Sequence, residues 1–246
     1  MEEGETLACR RLFDLMAVDV LRPIARDASG LRIGACVRWC ELAAARLPPA
    51  LDALRAAARQ IGGVQIQNVA TIGGNLCNAS PAADGVPPLL VLDARVALAS
   101  PRGSRQLALE EFLLGNRQTA LAADELLTAV LIPLDGLEGR SVFLKLGTRR
   151  HLVISFVSVA VRLVFDEADR LCRAALAVGA CSPVPVRLRA LERELLGRPR
   201  REVAEWPIDA RHLAPLRPID DVRATASYRR EAAAVLLARG LREAAS

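Results

Sequence analysis

Aromatic side chains make up only 3% of the 246 residues, which leaves little with which to stack nucleic-acid bases. The formal charge of +5 is modest for this length, and the basic residues are scattered, often beside acids as between Arg189 and Glu194, so a solvated surface is expected to carry them. Histidine is nearly absent. His151 and His212 have no second nitrogen or sulfur ligand at helical spacing, so no metal site is expected. The cysteines at positions 9, 36, 40, 77, 172 and 181 lack C-x-x-C spacing and are expected to be reduced, mostly buried thiols of a cytoplasmic protein, with no iron–sulfur cluster or zinc in this chain.

Long apolar runs are missing too. The longest, Leu152 to Phe165, is broken by Ser155, Ser158 and Arg162 and falls short of the roughly 18 residues of a membrane span. Met1-Glu2-Glu3 is acidic where a signal peptide would be positive. Neither G-x-G-x-x-G nor G-K-[ST] occurs, so the dinucleotide fingerprint and the phosphate loop are both excluded. Of the 33 basic residues only Lys145 is lysine. In a chain so biased toward arginine, Lys145 is expected where a forked guanidinium does not fit.

What remains is a 52% hydrophobic chain able to bury a core as one large or two small domains. The patterning predicts a short strand and turn over Leu12 to Met16, a strand over Leu31 to Ala35, and helices over Trp39 to Arg46 and Pro49 to Gln60. A buried helix follows from Pro87 to Leu92. Then come strands over Arg95 to Ala99 and Arg105 to Leu109, a short helix from Glu110, and a strand over Glu125 to Pro133. Further strands fall at Ser141 to Leu146, within Val153 to Phe165, and at Leu171 to Ala180. A helix is read over Val186 to Leu196, then a polar connection over 197–217, and Ser227 as cap of a last helix with Ala233, Leu236, Leu237 and Leu241 as its apolar stripe. The shift near Gly136 to Gly139 divides the chain into 1–138 and 139–246.

The segment Ile61 to Asp84 breaks this rhythm, with Gly62-Gly63, Gly73-Gly74 and three asparagines. Having no helical period, it is read as loop and short strand, which a compact domain rarely keeps without a ligand. Gly73 and Gly74 let the backbone turn sharply and bring its N–H groups close to a bulky anion. Thr71 adds a hydroxyl, Asn75 and Asn78 add amides, and Asp84 can accept from ribose hydroxyls or an adenine amino group, a set suited to a nucleotide diphosphate. An ordinary turn and a helix N-cap at Asp84 are the competing readings.

Residues 68–84 follow the order N-x-A-T-I-G-G-N-x-x-N-A-S-P-A-A-D, which resembles the second FAD-binding loop of the flavin (medium) subunit of molybdenum hydroxylases, the relatives of carbon monoxide dehydrogenase, xanthine dehydrogenase and hydroxybenzoyl-CoA reductase. The resemblance runs over nearly the whole chain and includes the closing stretch Pro218 to Arg230. It implies an α+β fold: a vanillyl-alcohol-oxidase/p-cresol-methylhydroxylase-type FAD-binding domain with its first subdomain incomplete, then a small α+β domain with a three-stranded antiparallel sheet. It also implies FAD on this chain, with molybdenum–pterin and [2Fe-2S] clusters on a large and a small partner subunit in a dimer of heterotrimers. Electrons would pass from the clusters through FAD to NAD, a quinone or another acceptor.

Carried over by residue, the resemblance places Thr71, Ile72, Gly73, Gly74 and Asn75 around the FAD diphosphate and Asp84 at the adenosine end. Ile61 and Leu126 become apolar contacts, with a core leucine the open alternative for Leu126. Lys145 falls near the flavin ring, where a cation would favour reduced flavin. Relatives also begin with several dozen further residues, including a Gly-rich loop A-G-G-T-D-L, of which Gly4-Glu5-Thr6-Leu7 is the nearest remnant. The resemblance therefore implies a start further upstream, or weak or absent flavin binding.

Overall fold

The computed structural model describes residues 12–149 and 152–246. The expectations for Gly4 to Leu7, Cys9 and His151 lie outside the described residues.

The first half opens on strands β1 (Ile24–Asp27) and β2 (Gly30–Gly34), followed by helices α1 (Trp39–Ala44), α2 (Asp52–Ala58), α3 (Val64–Gln67), α4 (Ile72–Asn78) and α5 (Val86–Val91). Then come β3 (Arg95–Ser100), β4 (Gly103–Ala108), α6 (Leu109–Phe112), the two-strand ribbon of β5 (Leu113–Gly115) and β6 (Gln118–Thr119), and β7 (Leu126–Pro133). Five strands form one antiparallel sheet in the order β1-β2-β7-β3-β4. Its core is built from Ile33, Val96, Leu98 and Val130 of the strands with Trp39, Leu42, Leu54, Ile72 and Leu76 of the helices. Each such aliphatic side chain contributes about 1.5–3 kcal/mol through burial.

The second half holds β8 (Arg140–Leu146), β9 (Val157–Phe165), β10 (Leu171–Gly179), β11 (Val186–Arg187), α7 (Arg189–Leu195), α8 (Arg200–Ala204) and α9 (Ala226–Ala245). Its sheet runs β11-β10-β9-β8, antiparallel throughout: three long strands plus a two-residue fourth. Helix α9 covers β8 and β9 from one side while α5 meets β9 and β10 from the other. Val157 to Leu163 are therefore buried on both faces, with Ser158 and Arg162 as buried polar residues in an otherwise apolar strand that does not alternate.

Helix α5 joins the halves. Arg162 of β9 donates through Nε to the Val91 carbonyl (2.6 Å), and Arg187 of β11 donates to that of Leu90 (2.9 Å). Both guanidiniums also reach Asp93, at 3.0 and 2.8 Å. Cations at a helix C-terminus offset the unpaired carbonyls there. These arginines, with Arg229, are 2–8% exposed, which corrects the expectation of an entirely solvated basic surface.

Several local expectations also change. Leu15 to Ala17 form a 3-10 turn capped by Asp14 where a strand was read. Strand β1 is almost wholly exposed and so carries no alternation to read. The segment 62–84 contains helices α3 and α4. Val186-Arg187 joins the sheet before α7 begins, and α8 interrupts the polar connection. Thr225, not Ser227, caps α9, accepting from the Tyr228 N–H at 3.2 Å. Of the described cysteines Cys36 and Cys181 are buried, Cys40 is intermediate, and Cys77 and Cys172 are exposed, so "mostly buried" does not hold. No helix among the described residues is long and apolar enough to cross a membrane.

Candidate functional site

Helix α4 forms across a Gly-Gly pair because tertiary hydrogen bonds hold its first turn. The Ile72 N–H donates to the Val37 carbonyl (3.0 Å), Gly73 to Ala35 (2.9 Å), and Ala35 in turn to Thr128 of β7 (3.0 Å). Thr71 is the N-cap, its Oγ1 accepting from the Gly74 N–H at 3.1 Å, and the Asn75 N–H donates to the Thr71 carbonyl at 3.0 Å. Four consecutive amides are thereby engaged. The expected open nest of backbone donors is corrected: the Thr71 hydroxyl faces outward, while Asn75 is part-buried with its Oδ1 turned in toward Gly85.

The two glycines serve different ends. A Cβ on Gly73 would stand 2.7 Å from the Ala35 carbonyl oxygen and 2.8 Å from the Ala35 Cβ, so this glycine lets α4 lie on the end of β2. A Cβ on Gly74 would meet only the Thr71 hydroxyl, at 3.1 Å, and otherwise open space. Gly73 is a packing residue. Gly74 is the exposed, side-chain-free one.

Asp84 is 6% exposed and caps no helix. Its Oδ1 accepts from Ser155 Oγ and its Oδ2 from Lys145 Nζ, each at 2.6 Å. Lys145 also donates to the carbonyls of Gln60 (3.3 Å) and Val153 (3.1 Å), and its side chain is 4% exposed. Three tetrahedral N–H groups thus meet three acceptors, the geometry an ammonium fills and a planar guanidinium does not. Asp84, expected at the adenosine end, and Lys145, expected near the flavin ring, are thus bonded to each other. Burial pushes the Asp84 carboxyl up, opposed by the Lys145 ammonium and the Ser155 hydroxyl.

Strand β8 delivers Lys145. Ser141 near its start accepts from the Ala53 N–H (2.9 Å) and donates to the Ala50 carbonyl (2.6 Å), setting β8 alongside α2, whose end carries Gln60 and Ile61. Ile61 is half-buried against the core, and its carbonyl accepts from Gln67 Nε2 at 3.1 Å. The two groups of residues meet at Gly85, where a Cβ would stand 3.0 Å from Asn75 Oδ1. That oxygen is buried without a partner.

Leu126 is 48% exposed, which excludes the core alternative. It follows Glu125, whose carboxylate takes Arg105 Nε at 2.6 Å, Arg105 Nη2 at 2.8 Å and the Ala122 N–H at 2.8 Å. The Arg105 hydrogen bond holds the Glu125 carboxyl at about 2. Val64, Ile66, Leu152 and Ile154 are exposed as well, and Leu152 lies against Gly63.

Sequence reasoning missed Ser155, Glu125 and the carbonyls of Gln60 and Val153. Only Ser155 left a signal, as a polar interruption of an apolar run. Among the described residues no group of three or more His, Cys, Asp or Glu could hold a metal ion.

An FAD fits the groups at these residues: an uncovered glycine face at Gly74, the Thr71 hydroxyl, and exposed apolar carbon at Leu126, Val64 and Ile66. Residues 1–135 match the family described as the FAD binding domain in molybdopterin dehydrogenase, and residues 142–244 match the CO dehydrogenase flavoprotein C-terminal domain. The chain belongs to this family of FAD-binding subunits of the molybdopterin dehydrogenases.

Among its relatives, the nicotinate dehydrogenase FAD-subunit of Eubacterium barkeri is 39% identical over 150 residues, 60% of this chain and 51% of that protein. The putative xanthine dehydrogenase FAD-binding subunit of Escherichia coli K12 is 33% identical over 224 residues, 89% of this chain and 76% of that one. A crystal structure of the Cu,Mo-CO dehydrogenase superposes with a TM-score of 0.83 at 27% identity, covering 94% of this chain and 81% of its own. The aligned part thus spans about half of the first relative and about three quarters of the second.

Proposed function

We propose that this chain carries FAD as the electron-transfer subunit of a heteromeric molybdenum hydroxylase in the cytoplasm. A large subunit would hold the molybdenum–pterin centre and a small one the [2Fe-2S] clusters, in a dimer of heterotrimers, with NAD, a quinone or another species as final acceptor. The flavin-binding part is taken as residues 1–138 and the C-terminal domain as 139–246. When bound, FAD supplies reversible electron storage between the partners' clusters and the acceptor.

In this reading Gly74 leaves room for the diphosphate, with Thr71 Oγ1 as donor; Ile72 and Gly73 hold α4 against β2 so that this hydroxyl faces outward. Leu126 and Ile61 offer apolar contact. Asp84 and Lys145 tie Gln60 and Val153 together and so fix Ile61. The observation that carries the reading is the open face of Gly74 beside the Thr71 hydroxyl.

A second reading, a flavin-free structural subunit, draws on the four engaged amides at 72–75. Absorbance of the purified chain, before and after adding FAD and desalting, separates the two. Flavin bands at close to one per chain support the first, and a colourless protein after FAD addition supports the second.

A further inference from the structure

The two halves of the chain together line a cavity of about 400 Å³ that Ser155 borders. The turn at Ser80 to Ala82 and the β5–β6 turn at Asn116-Arg117 line it from the first half, and residues 180–183 and 217–229 from the second. Four arginines line it, Arg117, Arg217, Arg223 and Arg229, against a single acid, Asp221.

That carboxylate is already taken. Asp221 accepts from Arg223 Nε at 3.0 Å and Nη2 at 2.6 Å, and from Arg229 Nη2 at 2.7 Å. Arg117 and Arg217 make side-chain bonds only to neutral oxygens among the described residues: Arg117 to Asn78 Oδ1 at 3.1 Å, and Arg217 to the carbonyls of Ala214 and Leu216. Arg229 is 2% exposed and its Nε has no partner. Positive charges gathered at one concave surface in excess of negative ones repel each other, and an anion among them relieves that repulsion. The planar fork of a guanidinium complements the paired oxygens of a carboxylate or phosphate.

From this we infer that the cavity is a binding site for a small oxyanion, a carboxylate or a phosphate, held by Arg117 and Arg217 over the Asp221–Arg229 pair. Ser155 lines the cavity and donates to Asp84, so the occupant sits one hydroxyl away from the Lys145–Asp84 pair. The inference does not depend on flavin.

The test is isothermal titration of the full chain without flavin, at constant ionic strength set with chloride, using inorganic phosphate in one arm and succinate in the other. Saturable one-to-one binding in either arm, weakened at least tenfold in the Arg117→Gln/Arg217→Gln double variant, supports the site, and the arm that binds names the oxyanion. Both arginines are exposed, so the double variant is expected to melt as the parent does, and each single variant should give an intermediate loss. Absence of saturable heat in both arms, or equal affinity in the double variant, overturns the site. Either result leaves the flavin reading untouched.

Discussion

Asp84 and Asp221 are both carboxylates gripped by a buried cation, but one cation is a lysine and the other an arginine. The Lys145 ammonium closes on three acceptors, and the polar groups around Asp84 are consumed internally. Arg229 spans the carbonyls of Phe156 and Ala180 besides Asp221, and still has a buried Nε to spare. A compact point charge can be sealed completely, whereas a five-donor fork serves several segments and leaves an end over. The first pair therefore makes a finished wall beside the flavin residues, and the second borders an open, positively charged cavity.

Removing Lys145 should have the largest effect, because it leaves the buried Asp84 carboxylate with no cation and little access to water. Lys145→Met is expected to destabilise the chain by about 3–5 kcal/mol in urea unfolding at neutral pH. With the ammonium gone, burial raises the Asp84 carboxyl further, so that variant should be most stable in acid and lose stability as pH rises through the raised folded value. Lys145→Arg should not restore the parent, since a planar fork cannot meet the same three acceptors. Recovery in Lys145→Arg would remove the distinction between the two pairs. Arg229→Met should cost less than Lys145→Met, because Asp221 keeps Arg223 and the backbone N–H groups of Arg223 and Ala224 as partners. Its pH dependence runs the other way: burial opposes ionisation of Asp221, but its hydrogen bonds to Arg223, to backbone N–H groups and to Arg229 win, so the carboxyl lies well below its usual range. That contribution is present above the unfolded value and is lost as pH falls.

Gly73→Ala sharpens the contrast within α4. The added methyl meets backbone at 2.7 Å, so a loss of about 1–3 kcal/mol is expected in thermal or urea unfolding. The smallest effect is expected at Glu125, whose pairing with Arg105 stabilises the fold above the ordinary glutamate value of 4.5 and fades as pH drops toward 2. Glu125→Gln should lower stability at neutral pH and flatten the acid limb of the profile, with variant and parent converging as pH falls toward 2. An unchanged acid limb would mean the pair is unimportant.

Much of the fold was legible because period and burial agree. Strands β3, β7, β8 and β10 and helices α5 and α9 each have an apolar pattern that one environment explains. The segment 62–84 was misread for a physical reason: α4 owes its first turn to the Val37 and Ala35 carbonyls across space, and a local pattern cannot report such partners. Gly73 and Gly74 look alike in the sequence, and only the position of β2 separates them. Lys145 was legible through the scarcity of lysine, yet its partner Asp84 was not, since 61 residues lie between them. Ser155 and Glu125 each looked like an incidental polar residue.

The most direct test of the central claim is the flavin-to-protein ratio of the Gly74→Val variant after saturation with FAD and desalting, measured beside the parent. The side chain would enter the space left open beside Thr71, so flavin should fall at least tenfold while unfolding shifts by less than about 1 kcal/mol. Full flavin occupancy in a well-folded Gly74→Val protein would contradict the assignment of that open face to the cofactor.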